Sequence, residues 1–529
     1  MPELSRADHR TSPPTIDIPR HYNAAADLIG RNLDAGRGDK TAFIDDRGRC
    51  TYAELDRRTD ACGNALRALG VQREQRVLMC IHDGIDFPTV FLGAIKAGIV
   101  PIAVNTLLTQ GDYEYMVRDS RARVAVVSAA LLPLFLPLLD KVPTLERLVV
   151  SGGAPGPDAL ASLLEEHAGP CELADTTCDD VCFWLYSSGS TGSPKGTIHV
   201  HASLIQTAEL YGRPILGIRE DDVVFSAAKL FFAYGLGNGL TFPLSVGATA
   251  VLMAERPTPA AVGQRLIEHR PSIFYGVPTL FAGMLASSDL PAREQVALRV
   301  CASAGEALPE EIGKRWTEHF GVEILDGIGS TEMLHIFLSN RAGQVRYGTT
   351  GTPVPGYEVR LMDEDGHEVA PGEVGELQIR GPSSAAGYWN NRAKTRHTFL
   401  GEWTRSGDKY SVTPEGYYVY SGRSDDMLKV SGIYVSPIEV ESVLITHEAV
   451  LEAAVVGQED DDKLIKPKAF VVLKPGVRAD DALAADLKAH VKSLLAPYKY
   501  PRWFEFVEEL PKTATGKIQR FKLRALTRG

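Results

Sequence analysis

Tyr186-Ser187-Ser188-Gly189-Ser190-Thr191-Gly192-Ser193-Pro194-Lys195-Gly196 is the stretch on which the reading of this chain turns. Its eleven positions hold three glycines, five hydroxyl side chains besides Tyr186, one proline and one lysine. The residues just before it, Val181-Cys182-Phe183-Trp184-Leu185, are apolar throughout and predict a buried strand. A buried strand ending in such a loop suits an anion. Glycines let the backbone turn tightly and approach a ligand, consecutive N–H groups form a concave donor site, hydroxyls add donors, and the lysine adds charge. The expected guest is a polyphosphate. The spacing is neither that of a P-loop, since Gly192 is followed by Ser193-Pro194-Lys195, nor that of a dinucleotide-binding G-x-G-x-x-G. A plain flexible surface loop is the competing reading; the strand before it and the Pro-Lys-Gly ending weigh against it.

Composition bounds the rest. A chain of 529 residues is too long for one core and predicts about two to four domains. The formal net charge of −11 argues against nucleic acid or an anionic membrane as the main partner. It also requires any anion site to be positive locally. The seven cysteines are odd in number and include no C-x-x-C pair, which points to reduced, mostly buried thiols in a cytoplasmic protein. The N-terminus carries Glu3 and Asp8 and has no apolar core, so no signal peptide is expected. Val124–Leu139 is broken by Pro133 and Pro137 and reads as a strand plus a short helix, not a membrane span.

Outward from the loop the chain alternates. A hairpin is predicted around Asp46-Arg47-Gly48, a helix from Tyr52 to Leu69 closed by Gly70, a strand at Val77–Ile81, a helix at Phe87–Ala97 stopped by Gly98, and a strand at Val100–Val104. This is the pattern of layered α/β structure. Beyond the loop, Gly196–His201 leads towards a helix from about Ser203, and Lys229–Asn238 is aromatic and then glycine-rich, fit either to wall a flat pocket or to pack a core. Val322–Leu325 is a predicted strand running into Asp326-Gly327-Ile328-Gly329-Ser330-Thr331-Glu332. From Gly351 short alternating runs between turns predict an antiparallel, β-barrel-like subdomain. A second change of texture near Gly422–Asp426 sets the expected division: a large N-terminal domain, 1–424, and a small mobile α+β domain, 425–529.

From Thr51-Tyr52-Ala53-Glu54-Leu55 to Gly516-Lys517 the motif order resembles that of the acyl-adenylate-forming superfamily: acyl-CoA synthetases, peptide-synthetase adenylation domains and luciferases. Phe231–Asn238, Gly327–Ile336 and Pro511–Arg520 are similar, more narrowly, to benzoate–CoA ligases. The resemblance implies two steps. Benzoate or a close aryl acid attacks MgATP to give acyl-AMP and pyrophosphate, and CoA then takes the acyl group and releases AMP. It also assigns roles. Ser188, Gly189, Ser190, Thr191, Gly192 and Lys195 hold phosphates; Ser303, Ala304, Gly305, Glu306, Asp326, Gly327 and Ile328 border adenine; Thr331 bonds the α-phosphate and Glu332 ligates Mg²⁺. The superfamily often has an aromatic residue where this chain has Ile328, so stacking on adenine should be weaker. Asp408 accepts the ribose hydroxyls and Arg423 braces the sugar. Lys517 neutralises the meeting anions during adenylation.

Asp425 matches the hinge about which the small domain would rotate between the two steps, withdrawing Lys517 and presenting Lys429, Ser431 and Gly432 to the pantetheine of CoA. Ala233, Tyr234, Gly329, His335 and Ile336 are expected to form the acid pocket, with His335 equally able to be structural, and His201 resembles a residue at the CoA passage. The expected partners are small molecules, with neither nucleic acid nor membrane insertion, and a homodimer is allowed for. An aryl-acid activating enzyme that feeds a carrier protein and a luciferase-like oxygenase remain as alternatives.

Overall fold

The structure, a computed structural model, describes residues 3–187, 194–423, 426–430, 433–460, 464–495, 499–512 and 518–527. The chain divides into two compact units, Met1–Val359 with Ile379–Arg405, and Arg360–Gln378 with Ser406–Gly529.

The first unit is built on two sheets. One orders its strands Gly387–Tyr388, Lys195–Val200, Val181–Ser187, Val100–Ala103, Arg76–Cys80, Val124–Ser128 and Arg147–Ser151. From Val181–Ser187 to the far edge the neighbours are parallel, whereas Lys195–Val200 runs antiparallel to both of its neighbours. Strands covered on both faces read as continuous apolar runs, as Val124–Ser128 and Val100–Ala103 do, each buried at every position. Of the predicted helices, Asp86–Lys96 packs on this sheet, and Tyr52–Ala68 packs on Asp86–Lys96 and on the strands Thr41–Asp45 and Gly48–Thr51. Tyr52–Ala68 begins where the Thr51 hydroxyl accepts the Glu54 N–H, and Asp86–Lys96 ends ahead of Gly98, whose φ of 73° suits glycine. Gln110–Ser120 starts with a capping box formed by Thr109 and Asp112.

The second sheet orders Thr352–Pro353, Ile336–Ser339, Ile324–Gly329, Val300–Ser303, Ile273–Gly276, Val223–Ser226, Thr249–Val251, Thr41–Asp45 and Gly48–Thr51. Two outcomes differ in detail from the sequence expectation. The polar residues after the loop form a strand, with Lys195 opposite Ser187, so the loop joins two antiparallel strands and the following helix already begins at His201. The strand expected at Val322–Leu325 instead spans Ile324–Gly329, because Gly327 and Gly329 pair with the returning Ile336–Ser339. Two π-helical turns, Ala208–Gly212 and Gly237–Thr241, interrupt helices nearby. Such turns recur at functional sites.

The turn-rich stretch from Gly351 forms a five-stranded sheet that includes Glu358–Met362, Gly375–Arg380, Trp403–Val412 and Tyr418–Arg423. In the second unit Val450–Glu459 pairs antiparallel with Ile465–Leu473, which pairs parallel with Trp503–Phe506. Helices Pro437–Ile445 and Asp481–Leu494 bury Val440, Leu444, Leu487 and Val491 with Val455 and Val471 of these strands. All seven cysteines are unpaired thiols. Among the described residues no helix is long and apolar enough to cross a membrane.

Candidate active site

The antiparallel return from Gly329 to Ile336 makes the centre of the site. Gly329 pairs with Ile336, so Ser330 to His335 form the turn between two strands. The turn is tight: the Leu334 N–H donates to the Thr331 carbonyl at 3.2 Å, and Leu334 adopts a φ of 66°, a left-handed conformation that a branched residue holds only under constraint. One face of the turn carries a carboxylate and the other a histidine.

On the carboxylate side, Glu332 Oε1 accepts the Tyr388 hydroxyl at 2.7 Å and the Ser187 hydroxyl at 3.4 Å. Ser187 is the last described residue before the loop, and Lys195, on the far side of it, places its ammonium 4.7 Å from the centre of the Tyr388 ring. The loop's two stems, Glu332 and Tyr388 thus converge on one spot. His199 holds the turn from below. Its Nε2 lies 2.8 Å from the Thr331 carbonyl, which can only accept, so this nitrogen carries the proton. Burial lowers the His199 pKa to about 4, so the ring is neutral. The Ala385 N–H to the Glu332 carbonyl, 2.8 Å, and the Ser383 hydroxyl to the Met333 carbonyl, 2.7 Å, fix the turn further. Tyr388 and His199 were missed in the sequence. Tyr388 lies 56 residues beyond Glu332, and His199 sits in a polar strand with no motif of its own.

A divalent cation fits the donor set. Glu332 Oε2 has no hydrogen-bond partner among the described residues, and a single carboxylate with phosphate oxygens and waters is the usual magnesium environment.

On the histidine side the surroundings are aromatic and buried. The His335 ring lies 4.6 Å from Phe242, 5.0 Å from Tyr211 and 5.5 Å from Tyr234. Its Nε2 faces two acceptors, the Tyr234 carbonyl at 3.3 Å and Asn238 Oδ1 at 3.2 Å, so the proton sits there and Nδ1 is bare and unpartnered. Burial lowers its pKa to about 3. A Cβ on Gly237 would fall 2.5 Å from His335 Cδ2, so only glycine admits the ring. The hydroxyls of Tyr211, Tyr234 and Tyr275 are buried without a partner. Tyr234, His335, Gly329 and Ile336 are therefore brought together as expected, with Ala233 beside Tyr234 at the start of the helix Ala233–Leu236. Tyr211, Tyr275 and Asn238 join them unforeseen.

The expected adenine residues lie on adjacent strand ends, where Ser303 pairs with Asp326. Both are buried, and Ser303 Oγ and Asp326 Oδ1 have no partner. Burial raises the Asp326 pKa to about 8, which keeps this carboxyl protonated near neutrality. Ala304, Gly305 and Glu306 follow directly, Gly305 with a φ of 98°; Gly327 and Ile328 continue the neighbouring strand. His201 is 2 % exposed and its Nδ1 accepts the Ala24 N–H at 3.1 Å, which commits the ring to the start of the helix Ala24–Asp34.

Within the second unit Arg423 Nη1 donates to Asp408 Oδ1 at 3.0 Å, across paired strands that set the two residues opposite each other. Lys429 lies in the strand Leu428–Val430. Ser188, Gly189, Ser190, Thr191, Gly192, Asp425, Ser431, Gly432 and Lys517 lie outside the described residues, and so does the side chain of Lys429.

Residues 31–389 match the model of the AMP-binding enzyme family and residues 439–517 that of the AMP-binding enzyme C-terminal domain. The chain is 72 % identical over 527 residues to a benzoate–CoA ligase of Thauera aromatica, covering 99 % of this chain and all of the relative. Among solved structures, a benzoate CoA ligase from Burkholderia xenovorans LB400 is similar with a TM-score of 0.89 and 60 % identity, over 95 % of this chain and 100 % of the other. An anthranilate CoA ligase in complex with anthranoyl-AMP is similar with a TM-score of 0.91 and 45 % identity, over 97 % and 98 %. The acyl-adenylate-forming fold anticipated from the motifs is thereby met, with its large N-terminal and small C-terminal parts, and the chain belongs to the AMP-binding enzyme family.

Proposed function

We propose that this chain converts benzoate, or a close aryl carboxylate, to its CoA thioester through an acyl-adenylate, releasing pyrophosphate and then AMP. The observation that carries the reading is the single turn that holds Glu332 at the stems of the phosphate loop and, three residues on, His335 among buried aromatic rings. The aromatic side takes the ring, and the stems face the phosphates. Two anions must meet in the first step, so the site must concentrate positive charge there and nowhere else. Lys195 supplies one charge at the loop. Lys517 supplies a second, on the carboxylate as it approaches phosphorus. Magnesium, when bound at Glu332, would neutralise phosphate charge. Tyr388 and Ser187 keep the Glu332 carboxylate turned towards the loop stems, and Thr331 offers its hydroxyl to the α-phosphate. Ser303 and the protonated Asp326 offer buried polar atoms to the adenine edge, with Ile328 packing on its face, while Asp408 and Arg423 take the ribose.

For the second step we infer rotation of the C-terminal part about Asp425, which removes Lys517 and presents Lys429, Ser431 and Gly432 to CoA. The CoA thiol needs little activation against a mixed anhydride, and no fixed base is assigned. Coupled turnover with benzoate, ATP and CoA tests the proposal: AMP must accumulate one for one with the thioester, and ADP instead of AMP would overturn it. Lys517→Ala is expected to lose adenylation by about 10²-fold or more while still making thioester from supplied benzoyl-AMP.

A further inference from the structure

The helix Gln110–Ser120 contributes nothing to the site as described, yet its one face touches both stems of the phosphate loop. Tyr115 and Asp119 are four residues apart and so share that face. The Tyr115 hydroxyl donates to the Pro194 carbonyl at 3.0 Å, on the trailing stem. The Tyr186 hydroxyl, on the leading stem, donates to Asp119 Oδ2 at 2.7 Å. A third link runs through Trp389: its Nε1 donates to the Asp119 carbonyl at 2.8 Å and its backbone N–H to the Gly196 carbonyl at 2.8 Å. The helix is itself anchored at both ends. Its capping box closes the start. At its end Arg76 Nε donates to the Ser120 carbonyl at 2.9 Å, and Arg76 and Arg121 pack over the Trp389 ring at 5.2 and 5.5 Å. Burial raises the Asp119 pKa, and the Tyr186 hydroxyl opposes that rise by favouring the carboxylate.

We propose that Tyr115 and Asp119 are positioning residues for the pyrophosphate leaving group: they fix the spacing and direction of the two loop stems, and thereby where the loop meets ATP. The inference rests on the reading of the loop as a phosphate site. It has a consequence that a merely structural role lacks. Pyrophosphate is present only in adenylation, so loosening the stems must harm the first half-reaction and spare the second. A displacement of about 1 Å in a reacting group costs about 10²-fold in rate, and losing one hydrogen bond to a buried stem costs about tenfold.

The test measures benzoate-dependent ATP–pyrophosphate exchange and, separately, thioester formation from supplied benzoyl-AMP and CoA. Tyr115→Phe is expected to raise the KM for ATP about tenfold and slow exchange by a similar factor. The KM for benzoate and the rate from benzoyl-AMP should stay within about twofold. Asp119→Ala should do the same, and Asp119→Asn should recover, because an amide oxygen still accepts from Tyr186. Equal losses in both half-reactions, no loss in either, or failure of Asp119→Asn to recover overturns the inference. Absence of benzoate-dependent exchange in the unaltered protein overturns the functional reading and the inference with it, whereas normal exchange there with an indifferent Tyr115→Phe removes the inference alone.

Discussion

The two faces of the Ser330–His335 turn are built by opposite means. On the Glu332 face charged and hydroxyl groups bond one another across strands, at 2.7 Å from Tyr388 and 3.4 Å from Ser187, with an ammonium over the Tyr388 ring. On the His335 face the imidazole is held neutral by burial, glycine makes room for it, and tyrosine hydroxyls are left unpartnered. The difference teaches how one turn can keep a charged, hydrogen-bonded side and an apolar aromatic side a few residues apart. Charge is confined to the side where phosphates are expected, and the other side is shaped by exclusion of bulk and of ions.

Substitutions can break that contrast, and the largest effect is expected on the charged face. Lys195→Ala should lower kcat/KM for adenylation by about 10²–10³-fold with the KM for benzoate little changed, read by pyrophosphate exchange. Gly237→Ala attacks the other face. Its new Cβ, 2.5 Å from His335 Cδ2, must displace the ring, and the KM for benzoate should rise about tenfold or more at unchanged KM for ATP. An equal rise in both constants would show the two faces to be mechanically one. Tyr388→Phe removes one donor from Glu332 and should cost about tenfold in adenylation, a smaller effect than loss of the lysine.

The gentlest test uses pH alone. His199, His201 and His335 stay neutral in the fold down to about 4, 4 and 3, against 6.5 in the unfolded chain. Between pH 6.5 and about 4 the unfolded chain therefore binds three more protons from these residues, and stability falls as pH falls. Asp326, raised to about 8 in the fold, works in the opposite sense over that window. Asp83, which burial raises to about 6, opposes the histidines as well. Between about pH 4 and 6 these five groups leave a net slope of about 1 kcal/mol per pH unit, measurable by denaturant unfolding of the whole chain. A flat profile would mean that the histidines take protons in place.

Much of this was legible in the sequence because it is local. Thr51, Gly70 and Gly98 bound helices where capping chemistry and left-handed glycine say they must. The strand into the loop was legible from five consecutive apolar residues. What escaped depends on partners far along the chain. That Lys195 faces Ser187 across a ladder follows from strand pairing, which the polar run Lys195–Val200 does not announce. Tyr388 meets Glu332 because a two-residue strand, Gly387–Tyr388, docks on that ladder. Tyr211 and Asn238 reach His335 through π-turns, which no periodicity reveals. The joining of residues 360–378 with the C-terminal part is likewise a matter of pairing. His335 was balanced between packing and contact; its two acceptors show a ring locked in place, with Nδ1 left bare.

The bare Nδ1 bears on which acids the proposed pocket would refuse. Across the whole physiological range His335 offers a second ionised substituent no counter-ion, and the tyrosines around it offer only dipoles. A phthalate-like dianion would have to strip water from its extra carboxylate with nothing to replace it. The expected outcome is a valence filter: pyrophosphate exchange proceeds with monoanionic aryl acids and fails with their doubly charged cousins.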